Sequence, residues 1–134
     1  GLPKASIALG DPYHAECLAT AERLRLALGL SSEDVSVTFQ SRFGAAEWLQ
    51  PYTEPTVKAL AGQGVRTVDV VCPGFAVDCL ETLEEIAQEV AEAFVEAGGE
   101  RLRYIPALND DAVWIEALAD LTQRNLLGWL PTRA

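Results

Sequence analysis

The stretch that decides the fold runs from residue 67 to residue 99 and reads TVDVVCPGFAVDCLETLEEIAQEVAEAFVEAGG. It begins with a short β-rich run, Thr67–Cys72, and passes through a Pro-Gly turn. A long helical pattern follows over Cys79–Ala97 and ends at paired glycines. A strand, a turn and a helix in this order form half of a βαβ unit, so the stretch predicts an α/β fold with a parallel sheet.

The rest of the chain repeats this alternation at a similar spacing. Two further β-rich runs, Val35–Gln40 and Leu102–Ile105, start 32 residues before and 35 residues after Thr67, close to the length of a βα unit. The other predicted helices are His14–Leu28, Glu54–Gln63 and Asp111–Leu127, and residues 1–12 and 41–52 are predicted to be loops. At 134 residues, the chain is the size of one domain with a small parallel sheet flanked by helices.

Composition narrows the class of partner. Ten basic and 20 acidic residues give a net charge of −10, which argues against a nucleic-acid or anionic membrane surface as partner. No apolar run approaches the roughly 20 residues that span a bilayer. The chain starts at Gly1 and contains no Met, so we expect it to be a piece of a longer protein.

The cysteines indicate a reducing compartment. There are three, Cys17, Cys72 and Cys79, with no CxxC motif. They are too few for a disulfide framework, and their spacing matches no zinc site. We therefore expect reduced thiols in a cytoplasmic protein. The single histidine, His14, lies in a turn and is expected at the surface rather than at a metal.

The long helix carries an acidic stripe. At 100° per residue, six carboxylates share one face, and an apolar row lies opposite and is expected to pack in the core. The acidic residues are Asp78, Glu81, Glu85, Glu89, Glu92 and Glu96, and the apolar ones are Leu83, Ala87, Val90 and Phe94. The stripe is consistent with a solvated helix face, with a capping box formed by Asp78 and Glu81, or with a cation site or path, which would relieve the repulsion between the carboxylates.

Residues 41–52 form a second candidate site. This loop carries Arg42, Phe43, Trp48 and Tyr52 directly after a predicted strand, and open α/β sheets bind ligands at the carboxyl ends of their strands. The alternative is that Phe43 and Trp48 seal the end of the core. No GxGxxG or GxxxxGK[ST] phosphate-binding pattern is present.

Several long motifs occur together and in one order. They are GDPY at 10–13, TFQSRFG at 38–44, EWLQPYT at 47–53, VCPGFAVDCLETLEEI at 71–86 and AGGERLRYIPALN at 97–109. With them the chain resembles the C-terminal half of bacterial ferrochelatases, which insert ferrous iron into protoporphyrin IX to form protohaem. The resemblance implies a Rossmann-like, chelatase-type half-domain with about four parallel strands, the fourth preceding Gly1. It also implies a π-type widening of the acidic helix.

The resemblance assigns roles to individual residues. Glu81 corresponds to the family's catalytic carboxylate, and the predicted metal path consists of Glu81, Asp78, Glu85 and Glu89. Trp48, Ser41 and Phe75 match positions that line the porphyrin pocket. Arg42 is placed near a propionate by its location alone.

The resemblance also sets expectations for domains, cofactors and partners. The family's key histidine would precede Gly1, so residues 1–134 are expected to be a single C-terminal half-domain that lacks the N-terminal half and is inactive alone. Ferrous iron and protoporphyrin IX are the expected substrates, with no tightly bound cofactor. A [2Fe–2S] cluster is not expected, because no cysteine follows Cys79. The other expected partner is the missing N-terminal half, through which a peripheral membrane contact would be made; no nucleic acid is expected.

Two other interpretations stay open at this stage. One is a stand-alone, homodimeric chelatase module for tetrapyrroles. The other is a non-catalytic α/β module that binds a ligand.

Overall fold

The computed structural model describes residues 1–126 and 128–129. Helices and two strands alternate along the chain, which confirms the mixed α/β class. The elements are α1 (Lys4–Ala8), α2 (Tyr13–Ala27), α3 (Thr53–Gly62), β1 (Thr67–Val71), a π-helix (Glu81–Val90), α4 (Ala91–Glu96), β2 (Arg101–Ile105) and α5 (Ala112–Asn125).

The two strands form a parallel pair, as predicted. The register runs from Thr67 opposite Arg101 to Val71 opposite Ile105. Residues alternate between the two faces, as the period of a strand requires. The face toward the helices carries Val68, Val70, Leu102 and Tyr104, which pack against the core. On the other face Arg103 donates two hydrogen bonds to its cross-strand partner Asp69, at 2.7 and 2.6 Å.

The core lies between this sheet, α3 and the acidic helix. Its buried members are Val57, Ala61, Ile86, Val90 and Phe94. Gly99 allows the chain to turn from α4 into β2, because a Cβ there would lie 2.3 Å from the ring of Phe94. This close approach is open only to glycine.

The predicted strand Val35–Gln40 is not a strand, and within the part of the chain that the structure describes the sheet has two strands rather than about four. The segment is extended around Phe39, whose N–H donates to the Pro51 carbonyl and whose carbonyl accepts from Thr53 N–H. These bonds make one isolated bridge between Phe39 and Tyr52. A β-pattern specifies an extended segment, but a ladder also needs a neighbouring strand in register. The fourth expected strand would precede residue 1.

The acidic helix is wider than the α-helical wheel assumed. Its first ten residues are π-helical, as the resemblance implied. A π-helix closes i→i+5 hydrogen bonds and turns by less than 100° per residue, so its buried face shifts. Thr82, Ile86 and Val90 are the buried positions, whereas Leu83 is 49% exposed and was wrongly placed in the core.

The remaining helices agree with prediction apart from their ends. Residues 1–12, predicted as a loop, contain the five-residue helix α1. The predicted helix Asp111–Leu127 is observed as Ala112–Asn125, and Leu127 lies outside the described residues. Among the described residues, the helices are too short or too polar to cross a bilayer.

Candidate functional site

A groove opens between the loop that follows Gln40 and the π-helix. It encloses about 360 Å³. Gln40, Ser41 and Arg42 line one side, and Glu85 and Glu89 line the other. The structure therefore brings the predicted loop and part of the predicted acidic stripe to one place.

Glu85 holds the loop at Ser41. One carboxylate oxygen accepts the Ser41 backbone N–H at 2.7 Å, and the other accepts its hydroxyl at 2.5 Å. Ser41 has φ +62°, a left-handed conformation that costs a non-glycine residue about 1–2 kcal/mol. The two bonds to a carboxylate are of the stronger, charge-assisted kind and stabilise this conformation.

Gln40 connects the π-helix to the end of β1. Its Nε2 donates to the backbone carbonyl of Glu81 at 2.7 Å, and its Oε1 accepts from the Cys72 thiol at 3.1 Å. Burial raises the pKa of Cys72 to about 11, with the nearby Glu85 charge adding to the shift. The thiol is therefore protonated at neutral pH and can donate.

Asp78 is the centre of a hydrogen-bond network. One oxygen accepts from the Tyr104 hydroxyl at 2.7 Å, the Thr82 hydroxyl at 3.1 Å and the Ala107 N–H at 3.2 Å. The other accepts from the Asn109 amide at 2.8 Å, and Asn109 accepts the Asp78 N–H in return at 2.8 Å. Hydrogen bonds from Asn109 and Tyr104 lower the pKa of Asp78 to about 2.

The capping-box interpretation of Asp78 and Glu81 is wrong. The side chain that binds a backbone N–H before the helix belongs to Thr82 instead, since its hydroxyl oxygen accepts the Cys79 N–H at 3.0 Å. The Asp78 oxygens are directed toward the segment after β2 rather than toward the free N–H groups of the helix.

The acidic stripe divides into bound and exposed carboxylates. Asp78 and Glu85 are half-buried and accept several hydrogen bonds from the protein, whereas Glu81 and Glu89 are exposed. A hydrogen bond from the Cys79 side chain lowers the pKa of Glu81. Within residues 1–126 and 128–129, no three acidic, histidine or cysteine side chains converge to form a metal site. A metal path along the stripe stays a prediction.

The aromatic and cationic residues of the loop differ in their contacts and burial. The guanidinium of Arg42 lies 4.0 Å from the ring centre of Tyr52, a cation–π contact. Trp48 is half-buried and donates from Nε1 to the Phe43 carbonyl at 3.0 Å. Phe43 itself is 86% exposed, so it does not seal the core.

Phe39 and Leu49 are the buried apolar residues at this end of the molecule. His14, expected at the surface, is half-buried, with its ring centre 5.6 Å from that of Phe39. Phe75 is half-buried in the turn after β1 and is not among the groove-lining residues.

Sequence reasoning missed three residues that organise the site, namely Gln40, Tyr104 and Asn109. All three lie inside the long motifs, at TFQSRFG and AGGERLRYIPALN. Asn109 also has φ +49°, and Asn is one of the few residues that adopt this conformation readily. The motifs therefore indicated that these residues matter, but they did not indicate which residues each one would contact.

The fold and the groove define a class of protein. The groove lies between the loop and the π-helix and combines carboxylates with cationic and aromatic side chains, an arrangement suited to a ligand with apolar and charged parts. A comparison with protein families then identifies the family, because the ferrochelatase family model matches residues 1–126. The chain belongs to the ferrochelatase family.

Curated relatives agree with the family match. The chain is 66% identical over 129 residues to the ferrochelatase of Bordetella pertussis, covering 96% of this chain and 36% of the relative. It is 61% identical over 133 residues to that of Methylibium petroleiphilum, covering 99% and 36%. It thus spans about a third of the length of these relatives. The stand-alone and non-catalytic interpretations are not favoured.

Proposed function

We propose that this chain is the part of a ferrochelatase that supplies the acidic helix and one wall of the porphyrin cleft. The whole enzyme inserts ferrous iron into protoporphyrin IX to form protohaem in haem biosynthesis. The observation that carries the proposal is the groove with Arg42 and Tyr52 on one side and the π-helix carboxylates Glu85 and Glu89 on the other. The ferrochelatase family match supports it.

Glu81 is the proposed base or proton relay. Metal insertion requires the pyrrole N–H protons to leave, and a carboxylate beside the ring can accept them. The lowered pKa of Glu81 keeps its carboxylate ionised at neutral pH, and its exposed side chain can meet a ligand.

The other carboxylates are proposed to conduct iron or protons. Carboxylates suit hydrated Fe²⁺ without binding it irreversibly. Glu89 is exposed on the groove wall and is the most available of them. Asp78 and Glu85 stay predicted members of this path, although each now also has a structural role.

The loop is proposed to hold the porphyrin. Arg42 is exposed and can pair with a propionate, while its contact with Tyr52 holds the guanidinium at the groove. Trp48, Ser41 and Phe75 stay predicted porphyrin contacts, and pressure from such wall residues would distort the ring toward insertion.

The cellular setting is also a proposal. All three cysteines are free thiols, which is consistent with a reducing cytoplasm. We propose that this part of the enzyme contributes no iron–sulfur cluster.

Anaerobic insertion assays test the function. The full-length enzyme, meaning this chain together with the rest of a protein of its relatives' length, should convert protoporphyrin and Fe²⁺ to protohaem. This chain alone should show no enzymatic turnover, because positioning both reactants needs both cleft walls. Failure of the full-length enzyme to insert iron, or ordinary turnover by the chain alone, would contradict the proposal.

A further inference from the structure

Gln40 joins the three segments that meet at the site. Its side chain is half-buried and contacts the Glu81 carbonyl at 2.7 Å, the Cys72 thiol at 3.1 Å and a Glu85 oxygen at 3.4 Å. Cys72 directly follows β1 and Glu81 begins the π-helix. One side chain therefore bonds to both ends of the turn between strand and helix.

The two groups that contact the Gln40 amide require the same orientation of that amide. A glutamine amide presents an acceptor at Oε1 and two donors at Nε2. The protonated Cys72 thiol faces Oε1, so Nε2 is directed at the Glu81 carbonyl, which can only accept. The thiol and the carbonyl therefore favour the same orientation of the amide.

The start of the π-helix is held from within by Thr82, whose hydroxyl oxygen accepts the Cys79 N–H, and from outside by the loop. Its N-cap residue Leu80 makes no side-chain capping bond. The loop holds the helix at Glu81 through Gln40 and, one turn later, at Glu85 through Ser41. Loss of the first contact removes the bond between the loop and the Glu81 backbone, while the second still holds the loop to the helix.

We propose that Gln40 is a positioning residue that fixes the Glu81 backbone, and with it the Glu81 carboxylate, relative to the porphyrin loop. This inference rests on the proposed function, in which Glu81 is the base. Gln40 acts through Glu81 and need not touch the porphyrin. A displacement of about 1 Å at a reacting group can cost on the order of 100-fold in rate.

Gln40→Met in the full-length enzyme tests the proposal, because Met keeps the length of the side chain and removes the amide. We expect kcat for iron insertion to fall at least about tenfold and the KM for porphyrin to stay within about twofold. The matched control is Gln88→Met, since Gln88 also donates to a π-helix carbonyl, that of Leu83 at 3.2 Å, but on the exposed surface. Its kinetics should match wild type.

A second pair of variants tests the orientation of the amide. Cys72→Ser keeps a donor toward Gln40 Oε1 and should keep kcat within about twofold. Cys72→Ala removes it and should lower kcat by more than Cys72→Ser does. Thermal unfolding of each variant shows whether it is folded, and if Gln40→Met is not, the Cys72 pair decides.

Three results would overturn the inference. They are an unchanged kcat in folded Gln40→Met, an equal loss in Gln88→Met, and equal kcat values for the two Cys72 variants. The wild-type enzyme is assayed alongside the variants. If wild type inserts no iron, the proposed function is contradicted; if wild type is active, the three results above bear on the role of Gln40 alone.

Discussion

The stability of a Glu85→Gln variant shows whether the Glu85 carboxylate stabilises the fold or is merely solvated. Glu85 accepts two hydrogen bonds from Ser41, at 2.7 and 2.5 Å. Hydrogen bonds to a charged group contribute about 1.5–3 kcal/mol and neutral ones about 1 kcal/mol. Because the groove is open to solvent, we take about 1.5 kcal/mol for each charged bond. Replacing it by a neutral bond of about 1 kcal/mol therefore costs about 0.5 kcal/mol for each of the two bonds.

The Ser41 conformation adds to this cost, and relief of repulsion subtracts from it. Ser41 at φ +62° is strained and is less firmly held once the charge is gone. Removal of one charge from the acidic stripe returns a few tenths of a kcal/mol. The net expectation for Glu85→Gln is a loss of about 1 kcal/mol in the free energy of unfolding.

Glu89→Gln is the matched control on the same helix. Glu89 is exposed, so its replacement should only relieve repulsion and raise stability by about 0.2–0.5 kcal/mol. Urea unfolding at pH 7, with a shared m-value, measures both variants. If Glu85→Gln is as stable as wild type or more stable, the Ser41 clamp contributes nothing and the solvated-face interpretation holds for Glu85.

The remaining predictions concern activity and pH. In the full-length enzyme Glu81→Gln should abolish iron insertion with an unfolding midpoint near that of wild type, since Gln cannot accept the proton; normal insertion would make Glu81 merely structural. Arg42→Gln should raise the porphyrin KM about fivefold, with kcat little changed, and should make no difference for a porphyrin with esterified propionates. With its pKa lowered from 3.8 to about 2, Asp78 contributes stability above pH 3.8 that is lost as pH falls through about 2. Asp78→Asn should therefore be less stable at pH 7, and its difference from wild type in urea unfolding should shrink toward pH 2; a constant difference would contradict this.

The sequence predicted those elements whose signal is local. β1 and β2 alternate apolar and polar residues, and they pair in parallel as expected, each with one end a single residue away from its prediction. Val35–Gln40 carries a similar pattern but forms no ladder, because pairing depends on a neighbour that the pattern does not specify. The wheel applied to the acidic helix assumed 100° per residue and so misplaced Leu83, which is exposed in the π-helix.

The site was predicted as a set of residue types and not as a set of contacts. Glu85 and Arg42 line one groove, although the strand predicted before Arg42 does not form. The bonds made by Gln40 and Asn109 could not be predicted, because they join residues 31 to 41 positions apart. Such contacts follow from the packing of loops on the sheet, about which periodicity carries no information.

The hydrogen bonds also change the argument about the acidic stripe. Stacked carboxylates favoured a cation path because their repulsion had no evident relief, but three of the six accept hydrogen bonds from protein donors, and Asp78 and Glu85 accept several each. Tyr104 and Asn109 stabilise the ionised Asp78, and Ser41 binds both oxygens of Glu85. A cation at either carboxylate would have to displace donors already in place, which costs the bonds they make. Glu81 and Glu89 are exposed, so we expect a cation to displace fewer protein donors at these two carboxylates than at Asp78 or Glu85.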